Sequence, residues 1–161
     1  GATGFAYDLA RRFGLRIVEP RPALVPLTLG GDEALFRTLS GVATEVVACA
    51  GKARFREAAL FTHKGLSGPA ILQISSYWRH REAVAIDFVP DQPADWLLAF
   101  KRATPRATLR SALSSMPARL ADTLAERLAL DRELGNLPDA QLRTAAQRLH
   151  AWPFHPTGTE G

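Results

Sequence analysis

GVATEVVACAGKARFREAALF, residues 41–61, alternates small or β-branched apolar residues with polar ones on both sides of Gly51-Lys52. A period of two marks strands with one buried face, and glycine supplies the positive φ of a tight turn. The stretch therefore reads as a hairpin. A further run, EAVAIDFV at 82–89, has the same β-branched content. Upstream, RIVEPRPALVPLTL at 16–29 is extended and broken by three prolines, which fits an edge strand or a bent approach to one. A short helix over 33–39, capped by Gly31 or Asp32, is expected between them. Several short strands with only brief helices point to a small antiparallel barrel or sandwich rather than a βαβ array.

The pattern switches at Asp91. From there, apolar residues recur at helical spacing: Leu120, Leu124 and Leu128 share one face, as do Leu142, Ala146 and Leu149. Starts are expected at Asp91, at Thr104-Pro105, at Ser115 and at Gly135-Asn136, each with a proline close behind. That makes a four-helix unit over 91–150. An N-terminal helix over 5–13 ends at Gly14, and the tail WPFHPTGTEG returns to the strands. The class is α+β, with a helix in 1–14, a barrel lobe built from 15–90 and 151–161, and a helical lobe between them.

Bulk properties narrow the function. The chain has 161 residues, of which 47% are apolar, enough for a packed core. No apolar run reaches the roughly 18 residues that a membrane helix needs. The single Cys49, in a strand-like run, excludes an intrachain disulfide and fits a small buried apolar role in a reducing compartment. His80, His150 and His155 lack metal-ligand spacing, so no metal is expected. The absence of a starting Met leads us to expect a piece of a longer chain. Net charge is +4, and nine Lys or Arg face six Asp or Glu between positions 95 and 150. That surplus fits either an anionic partner or solvated helix faces. No aromatic residue is interleaved between Arg106 and Arg148 to stack bases, so nucleic acid is not the expected partner.

LFTHKGLSGPAILQIS, residues 60–75, holds the site candidates. Gly65 and Gly68 allow close backbone approach, and Ser67 or Gly68 can cap a helix beginning at Pro69. Thr62 and His63 offer a hydroxyl and a titratable nitrogen for catalysis. They are expected at an exposed mouth, with Leu66, Ile71, Leu72 and Ile74 facing inward. The plain alternative is a strand-to-helix turn whose glycines serve geometry alone. GATG at 1–4 precedes a helix but matches neither GxGxxG nor GxxxxGKS.

These residues carry a resemblance. GATGFAYDLARRFGL, PALVPL, LSGV and FTHKGLSGPAILQIS together look like the middle of the YhiN/BaiN-like flavoproteins, also described as aminoacetone-oxidase-like. The resemblance implies a segment inserted into an FAD-binding domain, combining a barrel of the translation-factor and flavin-reductase type with a helical subdomain. It implies FAD in the full-length parent, with none bound to this fragment, because the dinucleotide fingerprint occurs nowhere here. The helix in 1–14 would belong to the flanking FAD domain. The implied activity is an NAD(P)H-linked, cytoplasmic oxidoreductase acting on a small molecule, inactive as a fragment. The implied role of the insert is to cover flavin or substrate, with Gly65, Ser67 and Gly68 as the cofactor-facing turn. The competing reading is a basic module that binds nucleic acid or protein.

Overall fold

A computed structural model describes residues 4–18 and 21–160. Strands β1 (Leu27–Thr28), β2 (Ala43–Ala50), β3 (Ala53–Phe61), β4 (Gly65–Ser67), β5 (Val84–Asp87), β6 (Trp152–Phe154) and β7 (Gly158–Thr159) form one sheet. Their order is β6-β5-β2-β3-β4-β1-β7, and every pair is antiparallel. The fold is thus α+β with an antiparallel sheet, as the alternation indicates. The hairpin pairs from Ala43 with Leu60 to Ala50 with Ala53, which makes Gly51-Lys52 a two-residue turn.

The sheet has to curl. Laid flat, its two edge strands would stand about 29 Å apart at roughly 4.8 Å per strand. Yet β6 and β7 are joined by residues 155–157 alone, and the step from Phe154 to Gly158 spans at most about 14 Å. The tail therefore ties one edge of the sheet to the other. Thr157 donates its N–H to Thr28 O at 2.8 Å, and Glu160 donates to Pro26 O at 2.9 Å. The interior is aromatic: Phe36 lies 4.9 Å from Phe154, 6.0 Å from Trp152 and 6.1 Å from Phe61 between ring centroids. Phe36 belongs to a 3-10 helix, Gly31–Leu39, where a short helix is expected; Gly30 occupies its N-cap position.

Among the described residues six α-helices accompany the sheet: α1 (Phe5–Arg12), α2 (Pro69–Ser75), α3 (Trp96–Ala103), α4 (Leu109–Ala112), α5 (Ala118–Leu128) and α6 (Asp139–His150). The four-helix unit forms, but its boundaries differ from the expected ones. Asp91 caps nothing. Its carboxylate accepts two bonds from the Arg56 guanidinium, at 2.8 and 2.9 Å, which holds its pKa below the ordinary aspartate value. Asp95 stands at the N-cap of α3 instead. Thr108, not Thr104, caps α4, and α4 is a single turn. Pro117 precedes α5 and Pro138 precedes α6, while Gly135-Asn136 sits in a separate 3-10 turn. Only Leu27–Thr28 of the 16–29 run forms strand; positions 19–20 lie outside the described residues.

The helical unit shares its core with the barrel. Phe88, Trp96, Leu97, Leu149 and Trp152 belong to one continuous buried cluster that also holds Val46, Phe61 and Ile74. Helix α1 stands apart from that core. It ends in a Schellman arrangement, Leu15 N–H to Ala10 O and Gly14 N–H to Arg11 O, yet it buries no residue. Among the described residues no helix is long and apolar enough to cross a membrane.

Candidate functional site

The turn after β3 builds from Thr62. Its N–H donates to Gly65 O at 2.8 Å, and its Oγ1 accepts from Gly65 N at 3.0 Å and Lys64 N at 3.3 Å. The hydroxyl is thus used by the turn, and Thr62 is half-buried rather than at an open mouth. His63 and Lys64 form the exposed tip. Arg37 Nε reaches His63 O at 2.7 Å, Lys64 O accepts from Leu29 N at 2.9 Å, and Lys64 Nζ pairs with Glu160. The tip is therefore anchored from the 3-10 helix, β1 and the tail. The His63 ring makes no hydrogen bond among the described residues.

Gly65 and Gly68 have local reasons to be glycine. A Cβ on Gly65 would lie 2.8 Å from Leu29 N and press on the backbone of β1. One on Gly68 would lie 2.8 Å from Leu60 N and 2.9 Å from Ala58 O, and Gly68 has φ +88°. The space beside each glycine is filled by the chain's own backbone. Gly68 occupies the N-cap position of α2 with no side-chain cap, and Ser67 is a half-exposed strand residue in β4. Leu66, Ile71 and Ile74 are fully buried, as expected, whereas Leu72 is only half-buried. The first three residues of the GATG stretch, 1–3, lie outside the described residues.

The histidines are not as isolated as their spacing implies. His155 donates its N–H to both oxygens of Glu33, at 2.9 and 3.0 Å, with its Nδ1 3.2 Å from the same carboxylate. His150 Nδ1 lies 3.3 Å from Asp87, whose Oδ1 also accepts from Val89 N. His80 packs edge-on to Trp78 at 6.0 Å. No group of three metal-binding side chains occurs among the described residues. Cys49 is half-buried in β2.

Three of the eight arginines between positions 95 and 150 are engaged within the chain. Arg110 pairs with Asp122, Arg119 donates to Thr38 O, and Arg148 lies 5.0 Å over the Trp152 ring. A different stretch, absent from the expected sites, stands out instead: Tyr77-Trp78-Arg79-His80-Arg81 interleaves aromatic and basic residues directly after α2. Its signal is present in the sequence, outside the arginine-rich C-terminal helices where such interleaving is missing.

Comparison with known proteins matches residues 21–161 to the family model "HI0933-like protein barrel and H2TH domain". The chain is 36% identical over 166 residues to a ribosomal RNA dihydrouridine synthase of Haemophilus influenzae, covering all of this chain and 41% of that protein. It is 40% identical over 174 residues to a protein of the same name from Escherichia coli K12, covering all of this chain and 42% of that one. The chain thus spans about two fifths of the length of these relatives. A free-standing basic binding module is not favoured, since the whole chain aligns within longer enzymes. A curled sheet closed by its own tail, a helical unit on the same core and a match running from residue 21 to residue 161 agree: the chain belongs to the HI0933-like flavoprotein family, whose barrel and H2TH domain it carries.

Proposed function

We propose that this chain is the insert of a longer, FAD-dependent ribosomal RNA dihydrouridine synthase, in which it engages RNA next to a flavin held by the flanking segments. The observation that carries this reading is the 36–40% identity along the entire chain to two proteins of that name. The substrate is then a uridine within RNA, in place of the small molecule that the resemblance implied. The overall conversion adds two electrons and two protons across the C5–C6 bond of uracil, with a reduced nicotinamide as the source of electrons. A cytoplasmic location suits a ribosomal substrate.

The described residues do not make a flavin cradle. Gly65 and Gly68 are closed off by β1 and β3, and the sequence has no GxGxxG. No chemical step is therefore assigned to a flavin on this chain. Helix α1 supports the flanking-domain reading, because Phe5, Phe13, Leu15 and Val18 are 63–83% exposed and α1 lies outside the matched residues. Within this reading His63 is the side chain of the 62–69 turn free to approach the reacting base.

The test uses the full-length protein with FAD, a reduced nicotinamide and deproteinised ribosomal RNA from cells lacking it. Mass spectrometry of the digested RNA should show uridine converted to dihydrouridine. RNA left unconverted, with nicotinamide consumed on a small molecule instead, would overturn the proposal. His63→Ala should slow conversion about tenfold or more with an unchanged melting temperature, whereas a purely structural turn leaves the rate untouched.

A further inference from the structure

We infer that the cleft between the β2–β3 hairpin tip and the turn following α2 binds single-stranded RNA, with Tyr77 stacking an unpaired base and Lys52, Arg54 and Arg79 holding phosphates. The choice of RNA over DNA rests on the proposed function; the site itself rests on the geometry that follows.

Tyr77 is braced but not covered. Its ring lies 5.6 Å from that of Phe55 at a 41° tilt, yet the residue remains 55% exposed. A Tyr ring already held by a neighbour loses little freedom when a base stacks on it, and stacking accepts any base because each has a π-face. Beside it lies a cleft of about 610 Å³ lined by Lys52, Arg54, Phe55, Tyr77, Arg79 and Glu82. That volume falls within the roughly 300–1,000 Å³ typical of ligand sites.

The charge has the right sign and is unspent. Three cations face a single carboxylate, that of Glu82. Among the described residues neither Lys52, Arg54 nor Arg79 makes a side-chain hydrogen bond or ion pair. Arg56, Lys64, Lys101 and Arg110 all do. Three unpaired cations beside an exposed aromatic ring offer what a nucleotide strand requires: a stacking surface and neutralised phosphates.

The backbone that carries Arg79 is also held in place. Glu82 N–H donates to Arg79 O at 2.9 Å and Trp78 Nε1 donates to Glu82 O at 2.8 Å, which pins the 79–82 turn from both sides. Arg79 forms part of a second cleft of about 410 Å³, lined also by Arg21, Trp78 and His80. A strand leaving the Tyr77 cleft past Arg79 therefore meets a further cation, Arg21, and a second aromatic ring, Trp78. Paired RNA suits this surface poorly, because its bases are stacked within the helix and cannot reach Tyr77.

The experiment uses the full-length protein and a labelled uridine-rich RNA of about 12 nucleotides, a length within the span of such grooves, offered as a single strand and as a duplex. Tyr77→Ala should weaken single-strand binding about tenfold, while Tyr77→Phe keeps wild-type affinity. Arg79→Ala and Arg54→Ala should each lower the slope of log affinity against log salt by about 0.7. The duplex should bind more weakly than the strand and be indifferent to Tyr77→Ala. Wild-type affinity and salt slope in Tyr77→Ala and Arg79→Ala would overturn the cleft while leaving the enzyme reading standing. A full-length protein that neither binds RNA nor forms dihydrouridine would overturn both.

Discussion

At the scale of single residues, two glycines with the same sign of φ separate strain from crowding. Gly51 at φ +58° turns the hairpin with nothing within 4 Å of the place a methyl would take, whereas Gly68 at φ +88° faces backbone of β3 at 2.8 and 2.9 Å. Gly51→Ala should cost about 1 kcal/mol, the penalty of a left-handed conformation for an L-residue. Gly68→Ala adds a clash against backbone that cannot swing aside, and should cost about 3 kcal/mol or more. Denaturant midpoints of the two variants decide the matter. Equal losses would mean that Gly68 is not crowded by β3, and would reopen its reading as a ligand-facing glycine. The position of the turn is legible in the sequence, but the reason for its glycines is not. Their partners, Leu27 to Leu29 and Ala58 to Leu60, become neighbours only once the sheet forms.

At the scale of elements, the two long strands are legible and the helix starts after Asp91 are not, for one physical reason. Alternation over eight or nine residues is a property of the whole run, so β2 and β3 emerge with their turn at Gly51-Lys52 in place. A cap is a single side chain, and a long-range partner can claim it. Asp91 goes to Arg56, 35 residues away in sequence, and leaves α3 to start at Trp96. A clasp of the same kind joins α3 to α6. Lys101 Nζ donates to Leu137 O at 2.6 Å and to Asp139 Oδ1 at 2.9 Å. The hydrogen bond from Lys101, reinforced by its charge, lowers the Asp139 pKa from the ordinary aspartate value. A carboxyl with a depressed folded-state pKa stabilises above its unfolded pKa, and loses that contribution as pH falls through the folded one. Asp139→Asn should therefore melt somewhat below wild type at pH 7. The gap should close as pH falls from the ordinary aspartate value, about 4, through the lower folded-state one. The effect is small, because Asp139 is half-exposed and solvent screens the pair. A gap that stays constant from pH 7 to pH 2 would show that the clasp contributes nothing through charge.

At the scale of the whole molecule, the change of pattern at Asp91 marks a change of secondary structure and not a break in the core. Phe88 contacts Trp152 and Phe154 at 6.2 and 6.4 Å between centroids, its N–H donates to Leu149 O at 3.0 Å, and Arg56 bridges Glu45 and Asp91. Barrel and helices thus meet through β5, the end of α6 and β6, and neither buries its apolar face without the other. Unfolding should then be a single transition. Trp78 reports from the turn after α2, Trp96 from α3 and Trp152 from the barrel interior, so tryptophan fluorescence samples both parts while far-UV circular dichroism follows the helices. Their denaturant curves should coincide. Phe36→Ala removes the ring at the centre of the aromatic cluster, far from the helical unit in sequence. It should cost about 3–5 kcal/mol and shift both probes to the same new midpoint. A helical signal that keeps its wild-type midpoint while the fluorescence shifts would mean that the two parts fold independently, and that the shared core does not couple them.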